Sequence, residues 1–196
     1  MARPRTPAAN RSSAANKSAD AIAMLKADHD KVKKLFKEFE RMHNAQSDEE
    51  AEQLATQICN ELTIHATLEE EIFYPEVRAA FDDEDLIDEA EVEHASAKEL
   101  IAQIESARSG DDKFAAKVMV LGEYVNHHIK EEQDEIFPEA KKAKVDMKAM
   151  ASRLASRKEE LMAEMGMRDE EGEGEQAAPF PPKKGRSSRG VPAGRG

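Results

Sequence analysis

Two stretches of this chain set an imidazole and a carboxylate one helical turn apart: His65-Ala-Thr-Leu-Glu69 and His128-Ile-Lys-Glu-Glu132. In both, a phenylalanine lies near the end and a proline falls ten residues after the histidine. Side chains four residues apart on an α-helix lie on one face, so both groups can meet a single ion. Imidazole with carboxylate suits iron, manganese or zinc better than calcium or magnesium, and composition does not choose among those three. One cysteine, Cys59, argues against a structural zinc cluster.

The helices that carry these pairs bury them. Phe114, Val118, Leu121, Val125, His128 and Glu132 recur at helical spacing, as do Ala51, Leu54, Ile58, Leu62, His65, Glu69 and Ile72. A carboxylate in such a stripe is costly unless it is neutralised, hydrogen-bonded or bound to a cation. Two more histidines occupy core positions: His29 among Ile22, Leu25, Val32, Phe36 and Phe39, and His94 among Ile87, Ala90, Ala97, Ile101 and Ile104. One such histidine is ordinary packing. Four at matching depth, two with a carboxylate one turn on, make a ligand set of His29, His65, Glu69, His94, His128 and Glu132. His29 precedes His65 by 36 residues and His94 precedes His128 by 34. The halves are thus expected to be related by an approximate two-fold axis and to hold two equivalent metals. His43 reads as a boundary residue, His127 lies off the stripe and Glu131 one step from it, so a one-residue slip would exchange Glu131 with Glu132. Glu70, Glu71, Asp134 and Glu135 read as a solvated acidic face.

The positioning elements follow from start and stop signals. Asp20 is a plausible N-cap, Ser47 with Glu50 forms a capping-box pattern, and the second helix should end or bend around Pro75. Asp82 and Asp83 offer caps for the third helix, while Gly110 with Asp111 or Asp112 separates it from the fourth. A fifth amphipathic segment carries Met147, Met150, Leu154, Leu161 and Met165, the methionines as packing, and closes at Gly166. The expected fold is all-α: an up-down-up-down four-helix bundle over 20–140 and an accessory helix over 141–166. Residues 1–19 read as a disordered basic arm and 167–196 as a disordered tail.

The order His29, His65-x-x-x-Glu69, His94, His128-x-x-x-Glu132, with a His-Glu-Glu and Phe-Pro flavour in both repeats, resembles the hemerythrin-like HHE cation-binding domains of bacteria. The resemblance covers roughly residues 20–140. It implies two iron ions with an oxo or hydroxo bridge, Glu69 and Glu132 spanning both, His29 and His65 on one, His94 and His128 on the other. The chain departs from oxygen-carrying hemerythrins. These have a second helix-3 histidine, where this chain has Ala90 and Lys98, and an aspartate five residues after the last histidine, where it has Gln133. Tyr124, one turn before His128, is a candidate replacement for the missing ligand; the alternative is a boundary tyrosine.

The 196-residue chain carries a net −12. Residues 1–19 hold four basic and no acidic side chains and 167–196 are slightly basic, so 20–166 carry −17. Such a bundle attracts cations and repels phosphate backbones, so no nucleic-acid binding is expected of it. With no apolar run of membrane-spanning length and no secretory signal, a cytoplasmic protein is expected. Function classes that remain are a di-iron protein binding or sensing dioxygen or nitric oxide, one that consumes peroxide or oxidises and stores ferrous iron, and a metal-free helical interaction module. A homodimer through the fifth helix is possible.

Overall fold

The computed structural model describes residues 20–81, 85–143 and 145–167. Its long helices are α1 (Ala21–Asn44), α2 (Asp48–Leu68), α4 (Asp85–Glu105) and α5 (Phe114–Glu131). Short helices α3 (Tyr74–Arg78) and α6 (Phe137–Lys142) extend α2 and α5, and α7 (Met147–Glu164) follows. α1 packs on α2 and α5, α4 packs on α5 and α2, and α7 lies along α1 and α2. This is the expected up-down-up-down bundle with one added helix.

Asp20 caps α1, its carboxylate accepting from the Ala23 amide at 2.9 Å. The other expected caps differ. Ser47 makes no side-chain cap bond, and α5 starts from Lys113 in the left-handed region (φ 68) instead of from an aspartate cap. Asp82 and Asp83 lie outside the described residues, as do the arm 1–19 and all but the first residue of the tail.

Neither proline stops its helix. After Leu68 and after Glu131 the backbone widens into π-helical segments, Glu69–Phe73 and Glu132–Ile136. The Tyr74 amide bonds to the Glu69 carbonyl and the Phe137 amide to the Glu132 carbonyl, each five residues back. Pro75 and Pro138 have no N–H to continue the α pattern, and one wider turn lets the chain resume as α3 and α6, with each proline in the first turn.

Two apolar clusters divide the interior. One gathers Leu25, Leu68, Phe73, Tyr74, Ile87 and Phe137 with Met150, Leu154, Leu161 and Met162 of α7. The other gathers Val32, Phe39, Ile58, Leu62, Ile101, Phe114, Leu121 and Val125. Met162 takes the buried place expected of Met165, which is exposed. Between the clusters lies a polar layer. Along α1 it is His29, between Leu25 of the first and Val32 of the second.

Candidate metal centre

All four layer histidines are buried, and their Nε2 atoms converge in pairs. Nε2 of His29 and His65 are 2.9 Å apart, and those of His94 and His128 are 3.1 Å apart. The opposite nitrogens are held from behind. Glu70 meets His94 Nδ1 at 3.0 Å and Glu93 meets His128 Nδ1 at 2.8 Å. The Gln133 side-chain amide meets His29 Nδ1 at 3.0 Å. With the amide oxygen turned to the ring, Gln133 accepts from Nδ1–H and leaves Nε2 bare. His65 Nδ1 faces Asp28 at 3.9 Å, beyond hydrogen-bond reach. Carboxylates behind ligand histidines fix tautomer and ring angle. Glu70, expected on a solvated face, is instead one of these supports and also accepts from Lys98.

Glu69 and Glu132 are both fully buried. Glu69 reaches both pairs: Oε1 lies 3.3 Å from His65 Nε2 and Oε2 lies 3.4 Å from His94 Nε2. Glu132 Oε2 stands 3.1 Å from His29 Nε2. One atom each of His29, His65, Glu69 and Glu132 lies within 4.8 Å of the others, and the same holds for Glu69, His94 and His128. All six expected residues thus meet in one layer, Glu69 common to both groups and Glu132 with the first. Glu132 is buried and Glu131 is partly exposed, so the helix register is the expected one.

The electrostatics call for a cation. None of the four carboxylate oxygens of Glu69 and Glu132 has a hydrogen-bond partner among the described residues. Burial, then the facing Glu132, push the Glu69 carboxyl well above its ordinary range. Burial is the largest influence on Glu132 too and would raise it, but His29, Glu69 and His128 around it together outweigh burial and hold that carboxyl down at about 2. Burial keeps His65 neutral, lowering it to about 4. Imidazoles converging on buried carboxylates that lack hydrogen-bond partners fit a bound transition-metal ion, which supplies the missing partner.

Two aromatic side chains lie against the layer. Tyr74 and Phe137 occupy equivalent places, each five residues after its glutamate. The π turn brings that fifth residue round to the face a fourth occupies in an α-helix. Phe137 stacks on His29 with centroids 5.8 Å apart, whereas Tyr74 packs against His94 and sets its hydroxyl 3.5 Å from His94 Nε2. Burial first, then the nearby glutamates, raise the Tyr74 phenol well above its usual range, keeping it protonated. Tyr74 was not foreseen as a site residue. Tyr124, the expected replacement ligand, is 52% exposed and only lines the mouth of a cavity, because its helical position turns away from the layer. That cavity, about 280 Å³, is largely apolar, lined by Val32, Leu62, Ala97 and Ile101, and ends on the four histidines.

The model of the hemerythrin HHE cation-binding domain matches residues 20–140. The chain belongs to this hemerythrin family. A DNA nickase of Nostoc sp. (strain PCC 7120 / SAG 25.82 / UTEX 2576) is 32% identical over 117 residues, 58% of this chain. The match takes in 31% of that relative's length. The crystal structure of a hemerythrin HHE cation binding domain-containing protein from Mycobacterium kansasii superposes with a TM-score of 0.62 at 21% identity, covering 75% of this chain and 90% of the other. At that identity the likeness shows a shared hemerythrin fold.

Proposed function

We propose that this hemerythrin-family domain holds two iron ions and reacts with, or senses, small oxidants: peroxide, nitric oxide or dioxygen. The observation that carries the reading is Glu69, whose two oxygens each face a different histidine pair and have no hydrogen-bond partner among the described residues. His29 and His65 would hold one ion and His94 and His128 the other. Glu69 would span the two, and Glu132 would serve at least the first. Bound iron would supply Lewis acidity and one-electron chemistry.

The chain's own residues favour reaction over storage of an oxygen adduct. Six donors are shared between two ions, and Ala90 and Lys98 add no further imidazole. The largely apolar wall of the cavity that ends on the histidines favours small neutral molecules. The Tyr74 hydroxyl can donate a hydrogen bond to a ligand on the His94 side; Phe137, its counterpart, cannot on the other. Cys59 takes no part, since burial pushes its thiol up to about 12. No helix among the described residues is long and apolar enough to cross a membrane, and the reading places the protein in the cytoplasm. It assigns no nucleic-acid role to the bundle, whose net charge repels phosphate.

The test is to mix anaerobic diferrous protein with air and, separately, diferric protein with hydrogen peroxide or nitric oxide. Peroxide turnover or a nitric oxide adduct without a stable oxygenated spectrum is expected. A long-lived oxygenated spectrum with no peroxide turnover would restore reversible oxygen binding.

A further inference from the structure

The sequence holds a second histidine–glutamate pair at the same spacing, one residue out of step with the first: His127-x-x-x-Glu131 beside His128-x-x-x-Glu132. One residue is about 100° on a helix, so the second pair faces outward from α5. There His127 Nε2 lies 3.1 Å from Glu131 Oε1 and 3.7 Å from Glu93 Oε1 on α4. Ligand atoms of these three side chains lie within 4.8 Å of one another. Glu93 belongs to both layers, because its other oxygen accepts from His128 Nδ1 at 2.8 Å.

A cleft connects the two levels. Its cavity of about 40 Å³ is lined by Glu89, Glu93, Glu131 and Glu135 and reaches His128 and Glu132. Among the described residues, no lysine or arginine lines it. Glu132 is fully buried, and neither of its oxygens is hydrogen-bonded. The cleft is small, and a cation in it would exchange water for the carboxylate oxygens along its wall. Glu93 and His127 also border the larger apolar cavity, whose wall is otherwise mostly apolar and carries Lys98.

We propose that Glu93, His127 and Glu131 form a surface site for a divalent first-row transition-metal cation, such as ferrous iron, and that the acidic cleft beneath passes that cation to and from the buried pair. One imidazole and two carboxylates leave open positions for water, which suits a transit site more than a closed structural one.

This inference rests on the buried layer being the metal centre, which elemental analysis of the purified chain tests by itself. The surface site is read on the full-length, metal-loaded protein by calorimetric titration with Co(II). One further, weaker equivalent is expected, and H127A should weaken it about tenfold or more. His127→Ala removes no carboxylate, so lost negative charge cannot produce the effect. Release of reduced iron to a ferrous chelator should also slow about tenfold in H127A with the starting iron content unchanged. Absence of the extra equivalent in the unaltered chain, or equal release rates in the two proteins, would overturn the proposal.

Discussion

Glu132 is buried with neither oxygen hydrogen-bonded, while Glu131, next to it in the chain, is partly exposed beside His127. Replacing Glu132 by Gln should therefore lower the affinity of the buried centre by roughly tenfold or more, whereas E131Q should leave the two buried ions in place; elemental analysis of the two variants, purified free of weakly held metal, checks this. A pH effect follows at Glu69. Burial and Glu132 raise its carboxyl, so without metal it keeps its proton at pH values where a free glutamate is ionised. A cation must displace that proton. Loading in weak buffer should acidify the solution, and affinity should fall as the pH drops below the raised value; loading without proton release would contradict the assignment. The six ligands were legible in the sequence because each interrupts an apolar stripe. Their supports were not, since Glu70, Glu93 and Gln133 look like surface polars until a neighbouring helix brings a histidine against them. Tyr74 was hidden for another reason. Counted in α-helical steps, the fifth residue after Glu69 points about 140° away from it, and only the π turn brings it back. The available hint was the aromatic-proline pair repeated at Tyr74-Pro75 and Phe137-Pro138. Tyr74→Phe should keep the iron and change stability by only about 1 kcal/mol, while slowing the reaction with peroxide, which melting and stopped-flow measurements can separate.

α7 closes the end of the bundle that the short connections leave open. Met150 and Leu154 are fully buried in the cluster containing Leu25, Tyr74 and Phe137, directly below the polar layer. Leu154→Ala should cost about 2–5 kcal/mol, lowering the melting temperature by about 2–4 °C for each kcal/mol. α7 also reaches the centre through charge: Lys158 bonds Asp28, the carboxylate that faces His65, and Arg157 bonds Glu71. Burial alone would raise the Asp28 carboxyl, but His65 and Lys158 together hold it below its usual range. The amphipathic pattern of this helix was legible, whereas its docking place was not, because a stripe of methionine and leucine fits many apolar surfaces. The capping pattern at Ser47 failed for a local reason: with ψ at 72 the serine makes no side-chain cap bond.

Across the whole molecule, an acidic bundle encloses six donors in a layer between two apolar clusters. The four-helix architecture was legible because its periodicity is long and its turns are marked by Gly110 and by polar runs. A chain cut to residues 20–166 keeps every ligand and α7, and should retain its helicity and metal; loss of either would show that a terminal segment docks on the bundle. Removing the cation should weaken the whole fold, since the buried carboxylates lose the charge that offsets their desolvation. Chelation should therefore lower the melting temperature clearly. The most direct measurement is the metal content of protein made in iron-replete cells, taken with the ultraviolet-visible spectrum of the same sample. About two irons per chain with the absorption of a bridged ferric pair are expected, one ion for each histidine pair. A folded, stable chain that purifies with no transition metal and takes up none on titration would contradict the central claim.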